Sequence, residues 1–149
     1  MAHRIASHRI TRLTRTRPGG YAGGGGEAGS IIVTTPHTLA VQDATRGLNM
    51  FRKVGAPVLG LVENMAAFVC PGCGAETSVF GSRDRTRALC ADHDVEFLGA
   101  LPLHPSVADD AQRGRPTVVA EPDSSRAAAF VAVARRVADK IGLPASEPG

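Results

Sequence analysis

Three short runs rich in branched apolar residues, each followed by a stretch of helix length, constrain this chain more than any other feature. The first is Ile31-Ile32-Val33-Thr34, the second residues 57–62 (PVLGLV) and the third residues 95–101 (VEFLGAL). Continuous apolar runs of this length suit strands buried on both faces. Between them the spacing changes. Ala40, Ala44, Leu48 and Phe51 recur close to every fourth residue, which predicts a helix over residues 36–54 that Thr35 caps, Pro36 opens and Gly55 stops. A second helix is predicted over 82–93 and a short one over 106–113. An extended piece at 116–120 and a last helix from Ser124 to Ile141 complete the pattern. That last helix is expected to bury Ala127, Phe130, Val131, Ala134 and Val137 and to leave Arg126, Arg135 and Arg136 in water. Strands alternating with helices imply parallel βαβ units joined by right-handed crossovers, an α/β class. Three strands are few for a parallel sheet covered on both faces, so the body reads as part of a larger sheet.

Charge divides the chain at about Ser30. Of its 149 residues, 17 are Lys or Arg and 14 Asp or Glu, for a formal charge of +3. Residues 1–30 hold five arginines and one acid, Glu27, so the basic excess lies in this Arg- and Gly-rich leader. The rest is nearly neutral. The leader has no sustained apolar face, and a run dominated by glycine orders at high entropic cost, so it is expected to be disordered. It is read as a lead-in without a specific role, with an organelle transit peptide and a basic arm as alternatives. A secretory signal is not expected, because no apolar h-region is present. With five Phe, one Tyr and no Trp, the chain lacks the aromatics of a base-stacking surface, and no nucleic-acid partner is expected. No run approaches the length of a membrane-spanning helix, so no membrane role is expected and the cytoplasm is the default location.

Chemistry concentrates in the loop at residues 63–81. Cys70-Pro71-Gly72-Cys73-Gly74 sets two thiols two residues apart, with glycines whose amides can face thiolate sulfur. Such a knuckle supplies two corners of a tetrahedral metal or cluster site. Four ligands are needed, so two chains could share one site with two thiolates each. Cys90 and His93 could instead close a zinc site within one chain, since Cys70-x2-Cys73 with Cys90-x2-His93 formally matches a Cys3His pattern. A redox dithiol and an incidental pair are the remaining readings.

Ligands of open parallel sheets sit beyond the carboxyl ends of the strands. Two segments fall there: Glu63-Asn64-Met65 after the second strand, and Pro102-Leu103-His104-Pro105 after the third. The Asn64 carboxamide offers a donor and an acceptor together, which suits the edge of an adenine ring or a loop cap equally well. A Pro-bounded loop at Pro102 adds fixed backbone groups and an apolar wall. No G-x-x-x-x-G-K-[ST] phosphate loop occurs, and no Asp follows the first strand to hold Mg2+.

In order, IIVTTP, RGLNMFRKV, PVLGLVENM, FVCPGCG, VFG, FLGALPL and GRPTVV make residues 31–137 resemble the C-terminal half of the Mrp-type P-loop ATPases. These are also called ApbC-type iron–sulfur cluster carriers, relatives of the MinD/ParA-like nucleotide switches. The resemblance implies a P-loop α/β fold and a homodimer. It implies a [4Fe–4S] cluster bridged by the cysteine pairs of two subunits, here Cys70 and Cys73, and ATP-dependent transfer of that cluster to apo iron–sulfur proteins. The adenine-contacting asparagine would correspond to Asn64, and the family's LPL segment to the loop at Pro102. Departures are His37 where glutamine is usual, Ser82-Arg83-Asp84-Arg85 in place of two glycines and an alanine, and Cys90 at a usual alanine. The expected organisation is a leader (1–30), the C-terminal half of an Mrp-type ATPase domain (31–141) and a tail (142–149). ATP and Mg2+ are implied by the family, but without the phosphate-binding lysine the chain alone is not expected to hydrolyse ATP. It reads as a truncated carrier; the alternative is a non-enzymatic zinc- or metal-knuckle module that pairs with an intact ATPase subunit.

Overall fold

A computed structural model of the protein describes residues 29–143; the expected leader up to residue 28 and the tail from residue 144 lie outside them. The chain begins with strand β1 (Ser30–Thr34) and helix α1 (Thr38–Lys53), then strand β2 (Val58–Glu63). Two two-residue strands follow, β3 (Phe68–Val69) and β4 (Glu76–Thr77), then helix α2 (Asp84–Asp92) and strand β5 (Phe97–Ala100). Helices α3 (Pro105–Gln112), α4 (Thr117–Ala120) and α5 (Ser125–Lys140) complete the order.

The three apolar runs form one parallel sheet in the order β1–β2–β5. Successive residues of β2 serve opposite faces, as the pleat requires. Leu61 joins Ile32, Leu48, Leu89 and Cys90 in a core beneath α1 and α2. Val62 joins Leu98 and Leu101 beneath Phe130, Val133 and Val137 of α5. Close approach of β2 to β5 depends on Gly60, because a Cβ there would lie 2.7 Å from the Glu96 carbonyl oxygen and 2.5 Å from Leu98 Cγ. Cover stops short at β1, where Val33 is 56% exposed.

Several sequence expectations are corrected. The first helix starts later than residue 36, because His37 rather than Thr35 caps it: the His37 Nδ1 accepts from the Leu39 amide at 3.3 Å. Residues 63–81 are not all loop, since β3 and β4 pair antiparallel within them. The piece expected to be extended at 116–120 turns into helix α4, whose Thr117 hydroxyl donates to buried Asp110 at 3.1 Å. On α5, Ala127, Phe130 and Val137 face the core, but Val131 and Ala134 are exposed because the helix covers the sheet with a narrower stripe. Arg126 is not wet: its side chain is only 18% exposed and pairs with Glu121. Ser124 caps α5 as its spacing suggests, its hydroxyl oxygen accepting from the Ala127 amide at 3.1 Å.

Leu61, 1% exposed at the centre of the α1–α2 core, has no room to collapse after truncation. Leu61→Ala is expected to cost about 2–5 kcal/mol, read as a lowered midpoint in urea unfolding followed by circular dichroism.

Candidate functional site

Register brings the strand ends level. Thr34 sits opposite Glu63, and Glu63 opposite Ala100, so the segments after β1, β2 and β5 leave from one edge of the sheet. Backbone bonds hold them together beyond the strands. The Asn64 amide donates to Thr34 at 2.7 Å, the Leu101 amide to Glu63 at 2.8 Å and the Ala66 amide to Leu101 at 3.0 Å. Asn64 and Pro102 are therefore neighbours on this edge, both half-buried. The Asn64 Oδ1 accepts from the Met65 amide at 3.0 Å, a capping contact that helps Met65 hold its left-handed φ of 54°. Among the described residues this is the side-chain hydrogen bond that Asn64 makes, through its carbonyl oxygen.

From the same edge the chain rises into the cysteine hairpin. Its base continues the sheet: the Leu103 amide donates to Ala67 at 2.8 Å, and Phe68 bridges to Leu103 in parallel. Above it β3 and β4 enclose the knuckle. The Cys70 amide donates to Ala75 at 2.9 Å, and the Gly74 amide donates to Cys70 at 2.8 Å. That closure requires the left-handed conformation of Gly74, φ 73°, which a side chain would strain. Cys73 is exposed and Cys70 half-exposed. The turn around it, first the Gly72 amide and then the Cys73 amide and thiol, holds the Cys70 thiol below its ordinary range, with burial a weaker opposing influence. Turn amides aimed at sulfur stabilise a thiolate, the form that binds metal or attacks an electrophile.

The structure does not bring Cys90 and His93 to this pair. Cys90 lies in the core under α2, where burial pushes its thiol up, and His93 ends the helix. Among the described residues no group of three or more His, Cys, Asp or Glu is placed to hold a metal ion. The intrachain Cys3His arrangement is therefore absent, for a simple reason: the helix that carries Cys90 turns it into the sheet, away from a hairpin that stands above the sheet edge.

The sequence reading missed one part of this edge. Glu63, the last residue of β2, is fully buried, and its carboxylate takes the Arg83 Nε–H at 2.9 Å and the Thr86 hydroxyl. The available signal was an acid ending an otherwise apolar strand.

A family model described as NUBPL iron-transfer P-loop NTPase, within the ParA group, matches residues 25–138. The chain belongs to this family. It is 42% identical to the mouse iron–sulfur cluster transfer protein NUBPL over 114 residues, covering 76% of this chain and 35% of that protein. It is likewise 42% identical to the iron–sulfur cluster carrier protein of Salmonella typhimurium over 113 residues, covering 76% of this chain and 29% of the relative. The chain thus spans about a third of the length of these curated relatives. Among solved structures, the cell division ATPase MinD of Pyrococcus furiosus aligns with a TM-score of 0.57 at 25% identity, over 74% of this chain and 42% of that one. MinD of Pyrococcus horikoshii, in complex with Mg-ADP, gives 0.55 at 25% identity, over 72% and 40%. The parallel sheet with flanking helices is thus a MinD-like P-loop NTPase fold. No described helix is long and apolar enough to cross a membrane.

The two kinds of cysteine in this family member should titrate apart. With its thiol lowered by donated hydrogen bonds, Cys70 is expected to reach half-maximal alkylation at a lower pH than Cys90, whose thiol is raised by burial. Pulse alkylation with iodoacetamide across a pH series, read by peptide mass spectrometry, checks the order.

Proposed function

We propose that this chain carries an iron–sulfur cluster through Cys70 and Cys73 and passes it to apo iron–sulfur proteins. The observation that supports this most is the knuckle itself, a thiol pair with Cys73 exposed and Cys70 half-exposed at the tip of a short hairpin closed by left-handed Gly74. Two thiolates fill half the positions a cubane cluster asks of protein, and the described residues offer no further ligand nearby. A second copy of the chain, meeting the first hairpin to hairpin, would complete a [4Fe–4S] site in a homodimer. The names of the relatives, iron–sulfur cluster transfer and carrier proteins, support the same cargo. The cytoplasm is the proposed place of this work.

The carboxyl edge suits one part of a nucleotide. Asn64 presents amide chemistry beside the Pro102 loop, as an adenine ring would need. The phosphates fit less well, because this chain carries no glycine-rich loop with a lysine to hold them. We therefore assign Asn64 and Pro102 to adenine contact and derive no hydrolytic step from this chain.

Anaerobic reconstitution with ferrous iron and sulfide is expected to load about one cubane per two chains and to shift the protein to a dimer in gel filtration. Cys70→Ala should abolish both the visible absorption and the shift. Stoichiometric zinc in a monomer would refute the proposal. Isothermal titration of the chain alone with Mg-ATP is expected to give only weak binding, with a Kd on the order of 1 mM or above. Measurable ATP turnover that disappears in Asn64→Ala would overturn the assignment of a non-hydrolytic edge.

A further inference from the structure

The segment that bears the cysteines leaves the sheet after Glu63 and returns to it at α2, and its two arms are held in different ways. The outgoing arm is pinned to the β5 exit by backbone bonds, the Ala66 amide donating to Leu101 and the Leu103 amide to Ala67. The return arm has no such support: among the described residues, no backbone hydrogen bond joins residues 78–82 to the sheet, and Val79 is 54% exposed. What meets the returning chain is the Glu63 side chain, with 0% of its surface exposed. A carboxylate buried to that degree is costly unless its oxygens are paired. One takes the Nε–H of Arg83, twenty residues on, and the other the hydroxyl of Thr86. Arg83 sits at the N-cap of α2 but makes no side-chain capping bond, and it remains 38% exposed.

We infer that Glu63 and Arg83 form a latch across the base of the cysteine excursion, making it a closed ring that holds the Cys70–Cys73 hairpin in a fixed pose over the sheet edge. Both are positioning residues and neither is a ligand. The consequence for the cluster rests on the reading of Cys70 and Cys73 as its ligands; the latch itself does not. A thiol pair held in one pose gives up less freedom when it meets the second pair, so cluster loss is slowed. Because Asn64 directly follows Glu63, the latch also ties the proposed adenine contact to the hairpin through adjacent residues.

Arg83→Ala tests this in the full chain: it removes one half-exposed side chain and no helix cap, and it is measured beside Glu63→Gln/Arg83→Ala, in which no buried charge is left alone at the end of β2. Hydrogen–deuterium exchange of the cluster-free protein is expected to show the hairpin amides, including those of Cys70 and Gly74, exchanging about ten-fold faster, while β2 and β5 stay within about two-fold of wild type. Arg83→Lys, which keeps a charge for Glu63 but loses the planar fork, should recover part of the protection. In the reconstituted protein, Arg83→Ala should lose iron to a ferrous chelator several-fold faster. Hairpin exchange that does not change, or β2 exchange that rises as much as the hairpin's, would overturn the latch. Unchanged iron loss alongside a loosened hairpin would overturn its positioning role. If Cys70→Ala still held a cluster, the ligand assignment would fall, and the exchange experiment would still decide the latch by itself.

Discussion

Parallel pairing of β2 with β1 on one side and β5 on the other sets Thr34, Glu63 and Ala100 level with one another. Every feature of chemical interest hangs from that alignment. The Asn64 turn, the Pro102 loop and the root of the cysteine hairpin all leave from the same edge and bond to each other's backbone within three residues of leaving it. Gly60 makes the arrangement possible, since any side chain there would hold β5 away from β2 at the Glu96 carbonyl. The edge is therefore tied where it begins by backbone bonds between its segments, and it carries the cysteine hairpin above it.

Two physical devices act on the hairpin, and they act on different scales. Locally, the left-handed Gly74 and the backbone bonds between Cys70, Gly74 and Ala75 shape a turn whose amides favour the Cys70 thiolate. At longer range, a buried carboxylate gathers the two ends of the excursion. A buried ion pair contributes little net stability against a well-packed apolar replacement, yet leaving one partner alone is severe. Glu63 is thus better understood as an element of geometry than of stability. Nearby Cys90 illustrates the opposite case: a thiol packed with Leu48, Leu61 and Leu89 behaves as a small apolar side chain, and its neutral form is favoured.

Much of the fold was legible from periodicity. The three apolar runs became the three sheet strands, and the long helices fall where the four-residue spacing placed them, because burial on both faces of a parallel sheet leaves a strong pattern. The errors came where local contacts outweigh pattern. His37 displaced Thr35 as a cap by offering its ring nitrogen to Leu39, and residues 117–120 close into α4 through backbone bonds to Pro116 and Thr117, with the Thr117 hydroxyl also donating to Asp110. Val131 and Ala134 fall on the apolar face that helical spacing predicts, yet they are exposed because α5 presents a narrower face to the sheet.

The site divides in the same manner. Sequence alone determined that two thiols stand in a glycine-flanked knuckle and that an asparagine and a proline follow buried strands, because spacing along a chain dictates which groups share a turn. It left open what Cys90 and His93 would do, since a formal ligand spacing carries no information about the direction a helix gives its side chains. Only the tertiary structure turned Cys90 into the core, set the hairpin above the sheet edge and closed Glu63 onto Arg83. Those outcomes depend on contacts between residues distant in sequence, decided by how the helices pack on the sheet and by the need of a carboxylate removed from water to find donors.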